Sequence, residues 1–438
     1  MESTQTIFLD LGCEFEKLIW NVMKEKMRIA YLCQSYPPMV SGAAIVVKRL
    51  ADEFVELGHP VMVISASVEG PAINTKRGNF HQVQLRSFHN PFRIGQKLSV
   101  FSVGRVLPFL SKFKPKVLHV HDPLSLGILG VRLAKRLDIP IILTLHQLPW
   151  FIRNYLPKIP WLQRKAETGL WLYGDWLLHH YDRIVVPSET ILEKLRARID
   201  CDAVVISNGI DLQRFSPISR VPDERSTLCQ KYDIDPSIPV ILHVGRLDAD
   251  KCIENVLYAA QRAMQEVDAQ LVMIGDGCCL GEMKERSEYL GIRSRCIFPG
   301  FVENTGDLPG LYRLATVFVT ASELESQGLV LLEAMASGLP IVAVHASAIP
   351  ELVQDSMNGY LAQPGDIMQM GDFLVALLTS PGSARAMGQV GRKLVQDHMI
   401  EDSLRKHERL YETVTRVSKN KRKHPLETSI QSISKPYP

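Results

Sequence analysis

The sequence predicts an α/β protein made of two doubly wound domains, each a parallel sheet covered by helices on both faces. Short apolar runs such as VLHV, IILTL, VILHV and QLVMI alternate along the chain with amphipathic stretches, the pattern of strands buried between helices. The alternation stops in a polar, proline-bracketed stretch after NGIDLQRFSP and starts again at PVILHVGR, which is the punctuation of a domain boundary. The length of 438 residues agrees, since a single domain usually holds about 100–200.

Residues 1–26 form an N-terminal extension with no basic leader, apolar centre or small-residue cleavage site, so secretion is not expected. No apolar run is long enough to span a bilayer. From Met27 the text reads as strand MRIAYLCQSY, loop PPMVSGAA, helix IVVKRLADEFVELGH and strand PVMVISAS, a βαβ opening. Further units follow at KVLHVHD with LSLGILGVRLAKRLD, at IPIILTLH, at RIVVPS with ETILEKLRARI, and at AVVISNG. The first domain is placed at 27–216. The second, 217–385, runs through PVILHVGR, AQLVMIGDG, RCIFPGF, ATVFVTAS and PIVAVHAS. Residues 386–417 read as helices free to pack back on the first domain, and 418–438 as a loose basic tail. Open α/β sheets bind ligands beyond the carboxyl ends of their strands, which puts the expected site in a cleft between the two sheets.

Composition excludes several classes. Lys plus Arg exceed Asp plus Glu by 50 against 47, a net +3, too little for general nucleic-acid binding. Eight cysteines occur with no C-x-x-C pair, so neither a zinc site nor a disulfide framework is expected, and free thiols suit a reducing cytosol. His119 and His121 could mimic a metal pair, but a polar contact at a strand end is the preferred reading, and no metal site is assigned.

Two motifs carry the chemistry. Glu325-Ser-Gln-Gly-Leu-Val-Leu-Leu-Glu333, followed by AMASGLP, opens a helix near Gly328 with Ser326 as its expected cap. Backbone N–H groups there can hold a phosphate. Glu333 stands in the apolar run VLLEAMA, where a carboxylate is costly unless bound, and a polyol such as ribose supplies the hydroxyls. The second motif, Gly245-Arg246-Leu-Asp-Ala-Asp-Lys251, follows the strand VILHV. Cations at a strand's carboxyl end suit a diphosphate. Asp248 and Asp250 imitate a metal-binding D-x-D but are read as caps of the following helix.

With these residues in place, EsqGLVLLEAMASGLP, VGRLdadK, SNGIDlqrF, the strand-end His146 of ILTLH and the early PPmvSGa loop together resemble the retaining GT-B glycosyltransferases of family 4, group 1, over roughly residues 27–415. The resemblance implies a metal-independent hexosyl transfer from a nucleotide sugar, UDP- or GDP-linked, with no further cofactor. It implies that Arg246 and Lys251 grip the diphosphate and Glu333 the ribose. Glu325 would face the donor sugar, with the backbone of Ser326, Gln327 and Gly328 near sugar and phosphate. Ser41, Gly42 and Ala43 would close over the phosphates, and His146 would line the reaction centre. Two departures stand out: Ala43 replaces a second glycine of the early loop, and Cys252 the glycine after the lysine.

The acceptor is expected to be a membrane lipid. Between Glu69 and Asp122 there are nine basic residues and no acidic one, Arg93, Lys97, Arg105 and Lys112 among them. The apolar series LSVFSVGRVLPFLSKF runs among them, as suits an anionic lipid surface. Trp150, Phe151 and Tyr155 follow His146 in QLPWFIRNYLPKIPW, and such aromatics favour the membrane interface. That segment is similar to the post-histidine segment of the family's diacylglycerol glycosyltransferases, which implies a peripheral enzyme on the cytoplasmic face. A soluble acceptor, and a sugar-nucleotide-binding protein without turnover, are the competing readings.

Overall fold

The computed structural model describes residues 25–39, 41–68, 70–89, 97–99, 102–149, 156, 159–219, 221–303 and 306–423. Their contacts divide the chain into two compact units, one within Met1–His146, Tyr173–Val185 and His407–Pro438, the other within Gln147–Leu172 and Val186–Lys406.

The first sheet has eight strands in the order Ala203–Val205, Arg183–Val186, Ile141–Thr144, Val117–Val120, Ile29–Leu32, Val61–Ala66, Phe80–Leu85 and Ile73–Arg77. Ile29 pairs in parallel register with Val61 on one side and Val117 on the other, and these three strands are wholly buried. They are the short apolar runs that the sequence marks, buried because helices cover both faces. At one edge Ile73–Arg77 runs antiparallel to Phe80–Leu85. Its INTKR sequence is mostly exposed, so it lacks the apolar signature of the central strands. The helix Ile400–Lys423 brings Glu408 to 3.6 Å from His59, with both side chains buried.

The second sheet is entirely parallel, in the order Cys296–Gly300, Gln270–Ile274, Val240–Val244, Val317–Val319, Ile341–Val344 and Gly359–Ala362. One continuous core of Val, Ile, Leu, Ala and Met side chains lies around it, including Ile241, Leu242, Val256, Leu257, Val342 and Leu374. The order reverses between Val240–Val244 and Val317–Val319. Sheets of this kind place ligands at that reversal, beyond the carboxyl ends of the strands, and the loops leaving those two strands hold both motifs of the second unit. In the first sheet the reversal falls between Ile29–Leu32 and Val117–Val120, whose following segments lead to Ser41 and to His121.

Candidate active site

In the second unit, residues from the two motifs meet although 74 positions separate them. Lys251 ends a short 3-10 turn, Ala249–Lys251. Its Nζ donates to Glu325 Oε1 at 2.6 Å and to Ser322 Oγ at 3.4 Å. Arg246 Nη1 is bonded to Asp248 Oδ2, and Nη2 donates to Asp250 Oδ2 at 2.7 Å. These five ionic side chains are all mostly shielded, so the pairs are less screened than surface ones. Asp248 and Asp250 therefore neutralise Arg246 and make no side-chain cap. The N-cap position of Ile253–Met264 falls on Cys252, at φ 49°, which corrects the expectation that the aspartates cap that helix.

The helix Leu329–Ala336 also differs at its start. Its N-cap is Gly328, at φ 87°, rather than Ser326. This left-handed backbone favours glycine, and an added Cβ would meet Leu331 Cδ1 at 2.8 Å. The Ser326 carbonyl accepts from Ser188 Oγ at 2.7 Å. Gln327 is buried: its Oε1 accepts from Asn208 N–H at 2.9 Å and its Nε2 donates to Ser207 Oγ at 2.8 Å. Its side chain thus ties the motif to the SNG segment. Glu333 is 3% exposed and accepts from Tyr312 Oη at 2.9 Å. Tyr312 gives no sequence signal for this role, since it lies 21 residues away on the separate helix Leu308–Leu314.

In the first unit, Ser41 is the N-cap of Gly42–Glu56, its Oγ accepting from Ala44 N–H at 3.1 Å. Gly42 and Ala43 thus form the first turn of that helix and are not part of the preceding loop. His146 follows Ile141–Thr144 and is partly buried, with Nε2 3.0 Å from His121 Nδ1 and the two rings stacked at 5.3 Å. Burial pushes the His146 ring down to about 4 and holds His121 well below the ordinary imidazole range. Both rings are neutral at pH 7, so one proton occupies their shared hydrogen bond. Behind them His119 is buried and bonded to Tyr411 Oη at 2.8 Å and Thr144 Oγ1 at 2.7 Å. The pair reading of His119 and His121 as polar contacts at a strand end describes these bonds. Among the described residues no group of three or more His, Cys, Asp or Glu side chains is placed to hold a metal.

Of the residues read as an acceptor surface, Arg93, Trp150, Phe151 and Tyr155 lie outside the described residues. Lys97 begins the strand Lys97–Ser99, while Arg105 and Lys112 are exposed on the helix Val103–Phe113. No described helix is long and apolar enough to cross a membrane.

Two family models match consecutive parts of the chain: Glycosyltransferase Family 4 over residues 40–214 and Glycosyl transferases group 1 over residues 224–394. The alpha-monoglucosyldiacylglycerol synthase of Streptococcus pneumoniae is 29% identical over 359 residues, 81% of this chain and 79% of that protein. The N-acetyl-alpha-D-glucosaminyl L-malate synthase of Bacillus anthracis is 25% identical over 407 residues, 90% of this chain and 99% of that protein. In fold, the chain matches sucrose-phosphate synthase from Thermosynechococcus elongatus with a TM-score of 0.74 at 22% identity, covering 90% of this chain and all of that one. Two α/β sheets, the second wholly parallel and the first parallel except at its Ile73–Arg77 edge, the motifs at their strand ends and these matches together make the chain a nucleotide-sugar glycosyltransferase of the GT-B fold, in group 1 of family 4.

Proposed function

We propose that the protein transfers a hexosyl group, with retention at the anomeric carbon and without a metal ion, from a UDP- or GDP-linked sugar to a membrane lipid such as diacylglycerol. The observation that carries the donor half is the Lys251–Glu325 contact at the strand-order reversal of the second sheet. It brings a cation suited to phosphate beside a carboxylate suited to sugar hydroxyls. On this reading the incoming diphosphate takes over from Asp248, Asp250 and Glu325 as the partner of Arg246 and Lys251, and the Glu325 carboxylate turns to the sugar. Glu333 accepts from the ribose hydroxyls. Backbone N–H groups at the start of Leu329–Ala336 add positive potential toward the phosphates.

His146, neutral at pH 7 and joined to His121 through Nε2, has Nδ1 left for a hydroxyl of the transferred sugar. It orients the sugar and supplies no positive charge. Since no general base is assigned to the acceptor, the leaving phosphate oxygen takes the acceptor proton on the face where the new bond forms, and the protein's task is orientation.

The lipid half draws support from the basic, aromatic-rich first domain and from the likeness to an alpha-monoglucosyldiacylglycerol synthase. A soluble acceptor is favoured instead by the likeness to an N-acetyl-alpha-D-glucosaminyl L-malate synthase over 90% of the chain. A donor-by-acceptor screen with mass-spectrometric detection separates the two: product on diacylglycerol supports the lipid reading, and efficient product on soluble hydroxy compounds alone overturns it. Hydrolysis or epimerisation of the donor without any acceptor product would overturn transfer itself.

A further inference from the structure

Cys278 and Cys279 end the loop that leaves the strand Gln270–Ile274 and lead into the helix Leu280–Tyr289. Cys278 is the one exposed thiol among the described residues, Cys279 is half-buried, and their sulfurs lie 3.7 Å apart. Burial, helped by the hydrogen bond to Cys278, pushes the Cys279 thiol up to about 11. Cys278 is therefore the thiol a reagent reaches first, with Cys279 positioned beside it as the second sulfur.

This loop is bonded to the one that carries Arg246. Cys278 N–H donates to Asp248 Oδ1 at 3.0 Å. Cys279 N–H donates to the Leu247 carbonyl at 2.9 Å, and Leu247 N–H to the Asp276 carbonyl at 3.0 Å. A side chain at Gly277 would meet the Leu247 carbonyl oxygen at 2.4 Å, so the two backbones approach as closely as glycine permits. Asp248 in turn holds Arg246. The two cysteine amides thus help fix the backbone on which the Arg246 guanidinium is mounted.

We propose that Cys278 and Cys279 form a two-thiol modification site that reacts with small-molecule disulfides and, through Asp248 and Leu247, controls how firmly Arg246 is presented to the donor diphosphate. The second clause rests on the donor role given to Arg246 above. The Cys278 thiolate attacks R–S–S–R, forming Cys278–S–S–R and releasing one R–S⁻. Cys279 gives its proton to solvent, attacks the Cys278 sulfur and expels the second R–S⁻. Both thiolates take up protons, so the protein dithiol loses two electrons and the reagent is reduced to two thiols. Adjacent Cα atoms stand about 3.8 Å apart, less than the roughly 4.4–6.8 Å that disulfides usually span. Closing the ring therefore turns the Cys278–Cys279 peptide, which draws the Cys279 amide off Leu247 and shifts the neighbouring Cys278 amide on Asp248.

The test treats the full chain with cystamine and reads intact mass, peptide maps and nucleoside diphosphate affinity. The wild-type peptide that carries Cys278 and Cys279 should lose two hydrogens and retain no adduct, the Cys279→Ser variant should keep a cysteamine adduct on Cys278, and the Cys278→Ser variant should gain none at Cys279. UDP or GDP, whichever binds, should bind the oxidised wild type about tenfold more weakly, a shift of roughly 1.4 kcal/mol. Dithiothreitol should restore it, and the double serine variant should bind identically with and without cystamine. Modification confined to Cys201 or Cys252, or a wild type that keeps the adduct unresolved, overturns the site. Unchanged affinity in the oxidised protein overturns the coupling if Arg246→Ala weakens binding. If Arg246→Ala also binds normally, the donor role of Arg246 is what fails, and the mass result alone decides the site.

Discussion

Tyr312 donates its phenolic hydrogen to Glu333 Oε2 at 2.9 Å, and both side chains lie in the interior of the second unit. Burial first, and the Glu333 charge second, hold the Tyr312 phenol well above its ordinary range, so it stays a donor at any physiological pH. Removing the hydroxyl strips a buried carboxylate of a hydrogen bond without making a cavity of any size. Tyr312→Phe is therefore expected to cost about 1–3 kcal/mol in urea unfolding. Adding Glu333→Met should recover much of that stability, because an apolar pair is tolerated where a half-paired charge is not, while nucleotide binding stays impaired.

Arg246 and Lys251 should carry donor affinity. Arg246→Ala or Lys251→Ala each leaves part of a shielded charge network unpaired and should weaken nucleoside diphosphate binding by about 2–5 kcal/mol in calorimetry. Asp250→Asn should act in the opposite sense, because it removes a competitor that is 2.7 Å from Arg246 Nη2. Chelation by EDTA should leave turnover intact, since both aspartates of the D-x-D imitation are engaged by arginine. Three unchanged affinities in the first three variants, or a strict divalent-metal requirement, would remove the donor reading.

What could be read from the sequence follows the physics of burial. Strands such as Ile29–Leu32, Val240–Val244 and Gln270–Ile274 are shielded on both faces and show as apolar runs, and the two motifs at strand ends were visible from charge and glycine placement. The edge strand Ile73–Arg77 was not, because its exposed face selects no apolar pattern. Nor was the cap at Gly328: Ser326 and Gly328 are both acceptable cap residues, and only the left-handed backbone at Gly328 separates them. The bonds from Tyr411 to His119, across 292 positions, and from Tyr312 to Glu333 depend on tertiary packing that no local spacing encodes.

Stability should fall on the acid side of neutrality. His119, His121, His146 and His243 all have folded pKa values depressed by burial, to about 4 for His146 and His243, against about 6.5 in the unfolded chain. The folded protein keeps them neutral while the unfolded chain takes up protons. Their contribution is complete above pH 6.5 and is lost as pH falls from there toward 4. For His146 alone the shift corresponds to on the order of 3 kcal/mol. Urea midpoints at pH 7.5, 6 and 5 should decline in that order, and a flat profile would contradict neutral burial of these rings.

His146 should matter for turnover more than for nucleotide affinity, because its assigned partner is the sugar. Leaving a sugar hydroxyl without its partner in a buried site costs about 1–3 kcal/mol, or roughly five- to a hundredfold in rate. His146→Ala should show that loss in kcat, with the nucleoside diphosphate Kd nearly unchanged. Full activity would remove His146 from the reaction centre.

A lipid acceptor would require that the protein meet a bilayer surface, and the exposure of its aromatic side chains bears on that. Of the tryptophans in and after the post-histidine segment, Trp171 is 9% exposed with Arg198 over its ring at 5.7 Å, the environment of a packing residue. Trp161 and Trp176 are 61% and 51% exposed, and Leu172 69%, on the same helix, Pro160–Leu178. Exposed tryptophans suit a headgroup region, where one part of the ring system is apolar and the indole N–H is wet. Arg105 and Lys112, exposed on Val103–Phe113, add attraction to anionic lipid worth about 1 kcal/mol per charge near the surface. Vesicles containing phosphatidylglycerol should therefore sediment the protein at low salt and less at high salt. Trp161→Ala with Trp176→Ala should lower binding at every salt concentration, whereas Arg105→Glu with Lys112→Glu should chiefly remove the salt-dependent part. A protein that ignores such vesicles and glycosylates a soluble acceptor efficiently in their absence would end the lipid reading and leave the glycosyltransferase itself untouched.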